Sequence, residues 1–486
     1  MKLIFTLLVS LLSVFGTKAS QQPLGSSVVY EMNVRQYTPA GTFAAAEEQL
    51  PRLKELGVDV IWLMPIHPIG VKERKGTLGS YYAISDYKAI NPEFGTMKDF
   101  ERFLKAAHKQ GFRVIMDCVA NHTSPDAKWI DEKPSDWYMR DEQGNTIVNY
   151  DWFDIAELNY DNRAVWDAME DQMRFWMKKG VDGFRCDMVE LVPPAFFKWL
   201  ISRIKKDRPD LLFVAEVYQK TLYSKYIREI GFDLLYDKSG IYDTLRAIVE
   251  KNAKDSGVPV EDWQSAKRIT WNWQSLGDLQ PYMLNFLENH DEQRFASDFF
   301  GCDARNSYAA LYTALYLNNA PFMLYAGEEV GERGMDNEGF SGRDGRTSIF
   351  DWWAPSSLTR LYKYIHGEKE ALAPEEETML DTYRKALKFA AEDNAVSKGT
   401  FYDLCYCNYA SDGFNPDRHF AFLRDFEDET LLIVCNFSKN DAEMKISIPE
   451  HAFNWMKMPE SEEFNHRTPV SVHVPATNGV IIKLFQ

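Results

Sequence analysis

The sequence predicts a (β/α)8 barrel, the TIM-barrel fold class, with a small inserted domain after strand 3 and a C-terminal antiparallel β-sandwich. Three observations predict it. Eight short β-rich runs alternate with amphipathic helical stretches over most of the 486 residues. One connection, from His122 to Asn159, is too long for a strand–helix loop. From about residue 396 the helical pattern stops and alternating apolar runs replace it.

The strand candidates, in order, are SVVYEMNV (27–34), VDVIWLMP (58–65), FRVIMDCV (112–119), VDGFRCDM (181–188), LLFVAEVY (211–218), FDLLYD (232–237), YMLNFLEN (282–289) and PFMLYAGE (321–328). Between them, FAAAEEQLPRLKELG (43–57), MKDFERFLKAAHKQG (97–111) and RAVWDAMEDQMRFWMKKG (163–180) carry helical periodicity. The final Gly of each is a helix stop signal. The long connection is polar and aromatic, with Trp129, Trp137, Tyr138, Trp152 and Phe153. The last segment reads HFAFLRDF, TLLIVCNF, AEMKISI, VSVHV and GVIIKLF, the pattern of half-buried strands. The expected division is a signal peptide at 1–19, a barrel at 20–121 and 160–395, an inserted domain at 122–159 and a C-terminal domain at 396–486.

Composition excludes some functions. A net charge of −17 argues against nucleic acid and anionic membrane surfaces as partners. The start, MKLIFTLLVSLLSVFGTKAS, has a basic residue, an apolar stretch from Leu3 to Phe15 and a small-residue cleavage site before Ser20. It predicts export to the periplasm or beyond the cell, with no transmembrane segment in the mature chain. The six cysteines, Cys118, Cys186, Cys302, Cys405, Cys407 and Cys435, show neither a CxxC pair nor zinc spacing. Cys405 and Cys407 are expected on one strand face, within reach of Cys435.

In such a barrel, chemistry sits at the C-terminal ends of the strands. Those ends carry Asp117 with Asn121 and His122, Arg185 with Asp187, Glu216, and Asn289 with His290 and Asp291. Residues two apart on a strand share a face. Asp117 therefore faces the same side as Asn121, and Arg185 the same side as Asp187, while Cys118 and Cys186 face the helices. Crowded carboxylates push one another's pKa values apart. That suits glycoside hydrolysis, in which one ionised carboxylate attacks and one protonated carboxyl donates to the leaving oxygen. An adjacent Arg keeps the nucleophile ionised. Any one of these acids alone reads equally well as a salt bridge or a cap; four strand ends of the same chemistry do not.

DCVANH (117–122), GFRCD (183–187), VAEV (214–217) and FLENHD (286–291) resemble, in order, the four signature regions of the α-amylase family of retaining glycosidases. GSYYAISDYKAINPEFGT (79–96) and IAELN (155–159) resemble two further segments of that family. The resemblance spans roughly residues 27–486. It implies Asp187 as nucleophile, Glu216 as general acid and then base, and Asp291 as the acid that distorts the sugar. Arg185 would support Asp187. His122 and His290 would donate to sugar hydroxyls. Tyr82 would stack on the sugar, unless Tyr81 takes that place. Asp117 looks architectural, and Asn121 would join barrel to insertion. GRDGRTSIFDWW (342–353) puts Asp344 or Arg346 forward as contacts to a more distant sugar.

Four positions depart from the family pattern. Glu190 and Leu191 stand where many members carry Lys-His, a sugar-binding side chain and a calcium-binding carbonyl. Glu157 replaces the more usual Asp. Met188 is neither the Thr of α-1,4-acting members nor the Val of many α-1,6-acting ones. The chemistry requires no cofactor. A structural calcium at Asn121, Glu157 and backbone carbonyls is one expectation; a metal-free hydrogen-bonded junction is the other. The resemblance thus implies an exported α-amylase-type endo-hydrolase acting with retention on α-1,4 bonds of starch or maltodextrin. A neopullulanase-like or transglycosylating α-glucan enzyme stands as the alternative within the same chemistry. A carbohydrate-binding barrel without catalysis is the reading from another class.

Overall fold

Short runs rich in β-branched and aromatic residues form the staves of a closed barrel. The computed structural model describes residues 24–148, 150–254, 259–337, 339–350, 354–461 and 464–485. The signal segment expected at 1–19 lies outside the described residues. The barrel strands are β1 (Val28–Met32), β2 (Val60–Leu63), β3 (Arg113–Cys118), β4 (Gly183–Cys186), β5 (Leu212–Ala215), β6 (Leu234–Tyr236), β7 (Met283–Phe286) and β8 (Phe322–Tyr325). Each pairs in parallel with its neighbours, and β8 returns to β1 to close the ring. All eight sequence candidates are strands, trimmed at both ends. The residues trimmed from the C-terminal ends are the loop positions that carry the site.

Helices form where the periodicity places them, with local signals fixing their ends. Thr96 and Asp99 make a reciprocal capping box at the start of α1 (Met97–Lys109). Asn162 caps α2 (Arg163–Lys179), and Gly180 ends it in the left-handed region at φ 108°. The stretch 43–57 is not one helix. It divides into Phe43–Glu47 and Leu50–Leu56, because Pro51 has no N–H and starts a new helix instead of continuing the old one. Gly183 is required by space: a Cβ there would lie 2.3 Å from the Leu212 carbonyl oxygen.

The segment after β3 has little regular structure. His122–Thr123 pairs antiparallel with Ala156–Glu157 and pinches its neck. Trp129 packs edge-on to Trp137 at 5.4 Å and against Tyr87 at 4.9 Å, so the insertion is pinned to the barrel by aromatic rings.

Beyond the barrel, β9 (Thr400–Asp403), β10 (His419–Phe426), β11 (Glu429–Asn436) and β14 (Gly479–Phe485) form one antiparallel sheet. β12 (Ala442–Ile446) pairs with β13 (Val470–Val474). Arg424, fully buried, ties this sheet to the barrel through the carbonyls of Leu317, Ala395, Val396 and Gly399. Cys405 and Cys407 do not share a strand. Asp403 accepts from the Cys405 amide at 2.6 Å and turns the chain into the helical turn Cys405–Asn408. All six cysteines are free. Among the described residues no helix is long and apolar enough to cross a membrane.

Candidate active site

Strand register puts the first two charged residues side by side. Asp117 on β3 lies opposite Arg185 on β4, and Cys118 lies opposite Cys186. The alternation sends the two families to opposite faces. On the helix side Gln172 of α2 approaches Cys118 Sγ at 3.7 Å. On the barrel side Arg185 is fully buried and acts as a hub. Its Nη1 donates to Asp187 Oδ1 at 2.8 Å and to Asp117 Oδ1 at 3.0 Å. Its Nε donates to the Tyr236 hydroxyl at 3.1 Å. Its Nη2 sits 2.9 Å from Glu216 Oε2, off line for a hydrogen bond, so that contact is Coulombic. The face of Trp62 lies 5.1 Å from the guanidinium carbon.

Glu216, directly after β5, is held by two further donors. The Tyr218 hydroxyl donates to Oε1 at 2.6 Å, and the Met188 amide donates to Oε2 at 2.8 Å. Met188 reaches that position with φ 42° and ψ 46°. A left-handed non-glycine residue costs ~1–3 kcal/mol, and here it aims an N–H at a carboxylate. Glu190 does not reach for sugar. Its carboxylate accepts from the Tyr218 amide at 2.8 Å and the Gln219 amide at 3.2 Å, fastening the loop that carries Glu216 and Tyr218.

The loop after β7 completes the site. Asn289 Oδ1 accepts from the Asp291 and Glu292 amides, both at 3.0 Å, and turns the chain. His290 Nδ1 meets Glu31 Oε1 at 2.5 Å, and its Nε2 lies 2.8 Å from the Tyr82 hydroxyl and 3.2 Å from Asp291 Oδ2. Tyr82 stacks on the His290 ring with centroids 5.3 Å apart. Tyr81 is packed in the core, where its hydroxyl accepts from Asn33 at 3.2 Å. Tyr82, not Tyr81, faces the cavity.

The electrostatics follow from burial and company. Burial raises Asp187 and Asp291 above the usual carboxylate range, helped by the neighbouring acids and opposed by Arg185 and His290. Burial likewise lifts Asp117 to about 6 against the pull of Arg185. For Glu216, burial is outweighed by Arg185, Tyr218 and Met188, which hold it below its ordinary value. Among these acids, the surroundings therefore favour the ionised form most at Glu216. Burial alone would lower His290, but Asp291 and Glu31 raise it to about 9, so it carries two donors at neutral pH. Burial lowers His122 to about 4, and its Nε2 has no partner. A buried, unpaired ring nitrogen on a cavity wall is a place for a hydroxyl.

The cavity measures about 300 Å³, and Tyr82, His122, Asp187, Glu216, His290 and Asp291 all line it. Lys75, Trp152, Asp154, Phe340 and Phe350 line it too, and no motif or spacing marks Lys75, Asp154 or Phe340 as site residues. Lys75 ends a charged run, VKERK, that reads as a solvated loop. Tyr218 lies two residues from Glu216 and shares its parity, the one signal in the sequence for its place beside the acid. Asp344 and Arg346 do not line the cavity. Asp344 accepts from the Phe340, Ser341 and Arg346 amides, and Arg346 Nε donates to the Asp291 carbonyl at 2.7 Å, so the pair braces the loop beneath Asp291.

At the neck of the insertion, Asn121 turns its amide nitrogen to His122 Nδ1 at 3.2 Å, and Glu157 lies opposite His122. Among the described residues no group of three or more His, Cys, Asp and Glu side chains is placed to hold a metal ion. Calcium takes 6–8 oxygens and favours several carboxylates. The side chains at this junction do not make such a cage.

The family model described as the α-amylase catalytic domain matches residues 30–153 and 133–400. "Alpha-amylase 3" of Dictyoglomus thermophilum is 26% identical over 460 residues, covering 85% of this chain and 85% of its own. The α-1,4-glucan:maltose-1-phosphate maltosyltransferase of Myxococcus xanthus is 32% identical over 274 residues, 51% of this chain; the match covers 39% of that enzyme's length. Among solved structures, a noncanonic maltogenic α-amylase of Thermotoga neapolitana superposes with TM-score 0.70 at 26% identity, covering 94% of this chain and 96% of that one. A match that runs from β1 to the edge of the C-terminal sheet places the whole barrel in one lineage: the chain belongs to the α-amylase family of glycoside hydrolases.

Proposed function

We propose that the protein is an exported hydrolase that cleaves α-1,4-glucosidic bonds of starch or maltodextrins with retention, through a covalent glycosyl-enzyme. One observation carries the reading: a single guanidinium, Arg185, holds Asp187 and Glu216 on one cavity. A retaining pair needs carboxyls about 5–5.5 Å apart, and two nitrogens of one planar group keep their partners close. Asp187 Oδ1 is occupied by Arg185, which leaves Oδ2 to attack the anomeric carbon. As that bond forms, Glu216 gives its proton to the glycosidic oxygen and the bond to the leaving sugar breaks. Glu216, now a carboxylate, takes a proton from water. The water oxygen then displaces Asp187 with a second inversion.

Before this can happen the proton must reach Glu216. A glycosidic oxygen arriving at Oε1 competes with the Tyr218 hydroxyl and needs a donor. Substrate entry therefore favours the protonated acid, while the buried Arg185 takes the charge of Asp187. Asp291 and the cationic His290 stabilise the oxocarbenium-like transition state and bind hydroxyls, with His122 on the opposite wall. Tyr82 supplies the stacking face.

Transfer to a sugar hydroxyl is the second reading. The apolar Met188 side chain lines the cavity beside Glu216, a place where it excludes water from the intermediate. Similarity to a maltosyltransferase points the same way. Export rests on the N-terminal segment, and Ser20 as the first residue of the secreted protein is its test. The catalytic reading is tested by Asp187→Asn, which should reduce kcat on maltodextrin by at least ~10³-fold. Full activity in that variant would overturn it. Products longer than the substrate would assign transfer.

A further inference from the structure

The barrel order fixes which way a bound chain runs. Glu216 follows β5, and the acid lies on the side from which the leaving sugar departs. In a ring of eight strands β5 stands across from β1, and β1 is flanked by β2 and β8. The sugars that remain attached to Asp187 therefore extend toward the loops after β2 and β8. Side chains from these loops and the insertion meet. Lys75, after β2, approaches Asp154 of the insertion at 3.5 Å. The ammonium sits 4.8 Å from the centre of the Phe153 ring and 5.9 Å from that of Phe350, after β8.

The wall is fastened at its base as well. Asp126 of the insertion accepts from the Val71 and Lys72 amides at 2.7 and 3.0 Å. The Leu78 amide donates to the Phe350 carbonyl at 3.3 Å, which ties the β2 loop to the β8 loop. Lys75, Asp154 and Phe350 all line the cavity. Its volume, about 300 Å³, is at the small end for ligand pockets, which run from about 300 to 1,000 Å³. That is space for a short saccharide.

We propose that the Lys75–Asp154 ion pair, clamped between Phe153 and Phe350, closes the glycone end of the cavity, so that the enzyme releases one or two sugars from non-reducing chain ends. The inference rests on the α-glucan hydrolase reading and narrows it from internal to terminal cleavage. A terminal hydroxyl of the end sugar meets the Lys75 ammonium or the Asp154 carboxylate, whereas a further sugar meets the wall.

The test uses two aryl maltoheptaosides, one with a free non-reducing end and one whose end is capped by an acetal. The enzyme should cut the free-ended substrate at least about 100-fold faster than the capped one. Lys75→Ala, and Lys75→Met, which keeps the stem without the charge, should raise turnover of the capped substrate at least about tenfold relative to the free one. Lys75→Arg should keep the exclusion. For the free-ended substrate the loss in the Ala and Met variants should appear in KM more than in kcat. Equal cleavage of both substrates by the unaltered protein would overturn this inference while leaving the α-glucan reading intact. Undiminished exclusion in both Lys75 variants would overturn the ion pair as the closure. Cleavage of neither substrate would overturn the α-glucan reading, and this inference with it.

Discussion

Tyr218→Phe isolates what holds the acid in its resting state. The Tyr218 hydroxyl donates to Glu216 Oε1 at 2.6 Å, one of the contacts that hold Glu216 below its ordinary value despite burial. A hydrogen bond to a charged group contributes about 1.5–3 kcal/mol, or about 1–2 pKa units. The hydroxyl favours the ionised carboxylate, so its loss raises the Glu216 pKa and keeps the acid protonated to higher pH. Asp187 and Asp291 titrate with Glu216, so the basic limb of the pH profile belongs to the cluster. The variant should move the basic limb of kcat/KM on a maltodextrin upward by about one unit. The assay is initial rate against pH, with melting curves to show that the fold is intact at each point. A limb that stays in place, or moves down, would refute the view that Tyr218 tunes Glu216.

Other consequences are equally direct. Glu190→Lys removes an acceptor from two backbone amides and should reduce kcat at least ~10-fold through displacement of Tyr218 and Glu216, while Glu190→Gln should retain more activity. His290 is raised to about 9 by Asp291 and Glu31 against burial, so its stabilising effect is complete below about 6.5 and is lost as pH rises through about 9. His290→Gln should therefore lower Tm at pH 6 by the equivalent of about 3 kcal/mol, and the gap to the unaltered protein should close above pH 9. EDTA should leave kcat and Tm unchanged; a fall in Tm would assign a cation to the junction at Asn121 and Glu157.

The barrel was legible because strand and helix periodicities differ so plainly and because each buried parallel strand is a short apolar run. The clustering of Asp117, Arg185, Asp187, Glu216 and Asp291 followed from the rule that chemistry gathers at strand ends. What stayed hidden depends on loops. Lys75, Asp154 and Phe350 come from three connections, and no periodicity predicts that a basic residue in VKERK will meet an acid of the insertion. Glu190 shows a different limit. Its place beside the nucleophile suggests sugar binding, yet its carboxylate is spent on the backbone of the next strand's loop. Met188 is likewise informative for its backbone, since its left-handed turn directs an amide at Glu216, a role that no residue type announces. At Cys405 the opposite error arises: a strand-like spacing gives way to a turn because Asp403 takes the amide.

The reaction proposed for Asp187 and Glu216, joined by Arg185, is a double displacement. Proton NMR of the first product released from a maltooligosaccharide tests it most directly, read before mutarotation scrambles the anomers. Double displacement predicts the α-anomer first, with the β-anomer growing in only later. If the β-anomer appears first, the reaction proceeds by single displacement, and Asp187 is not the nucleophile.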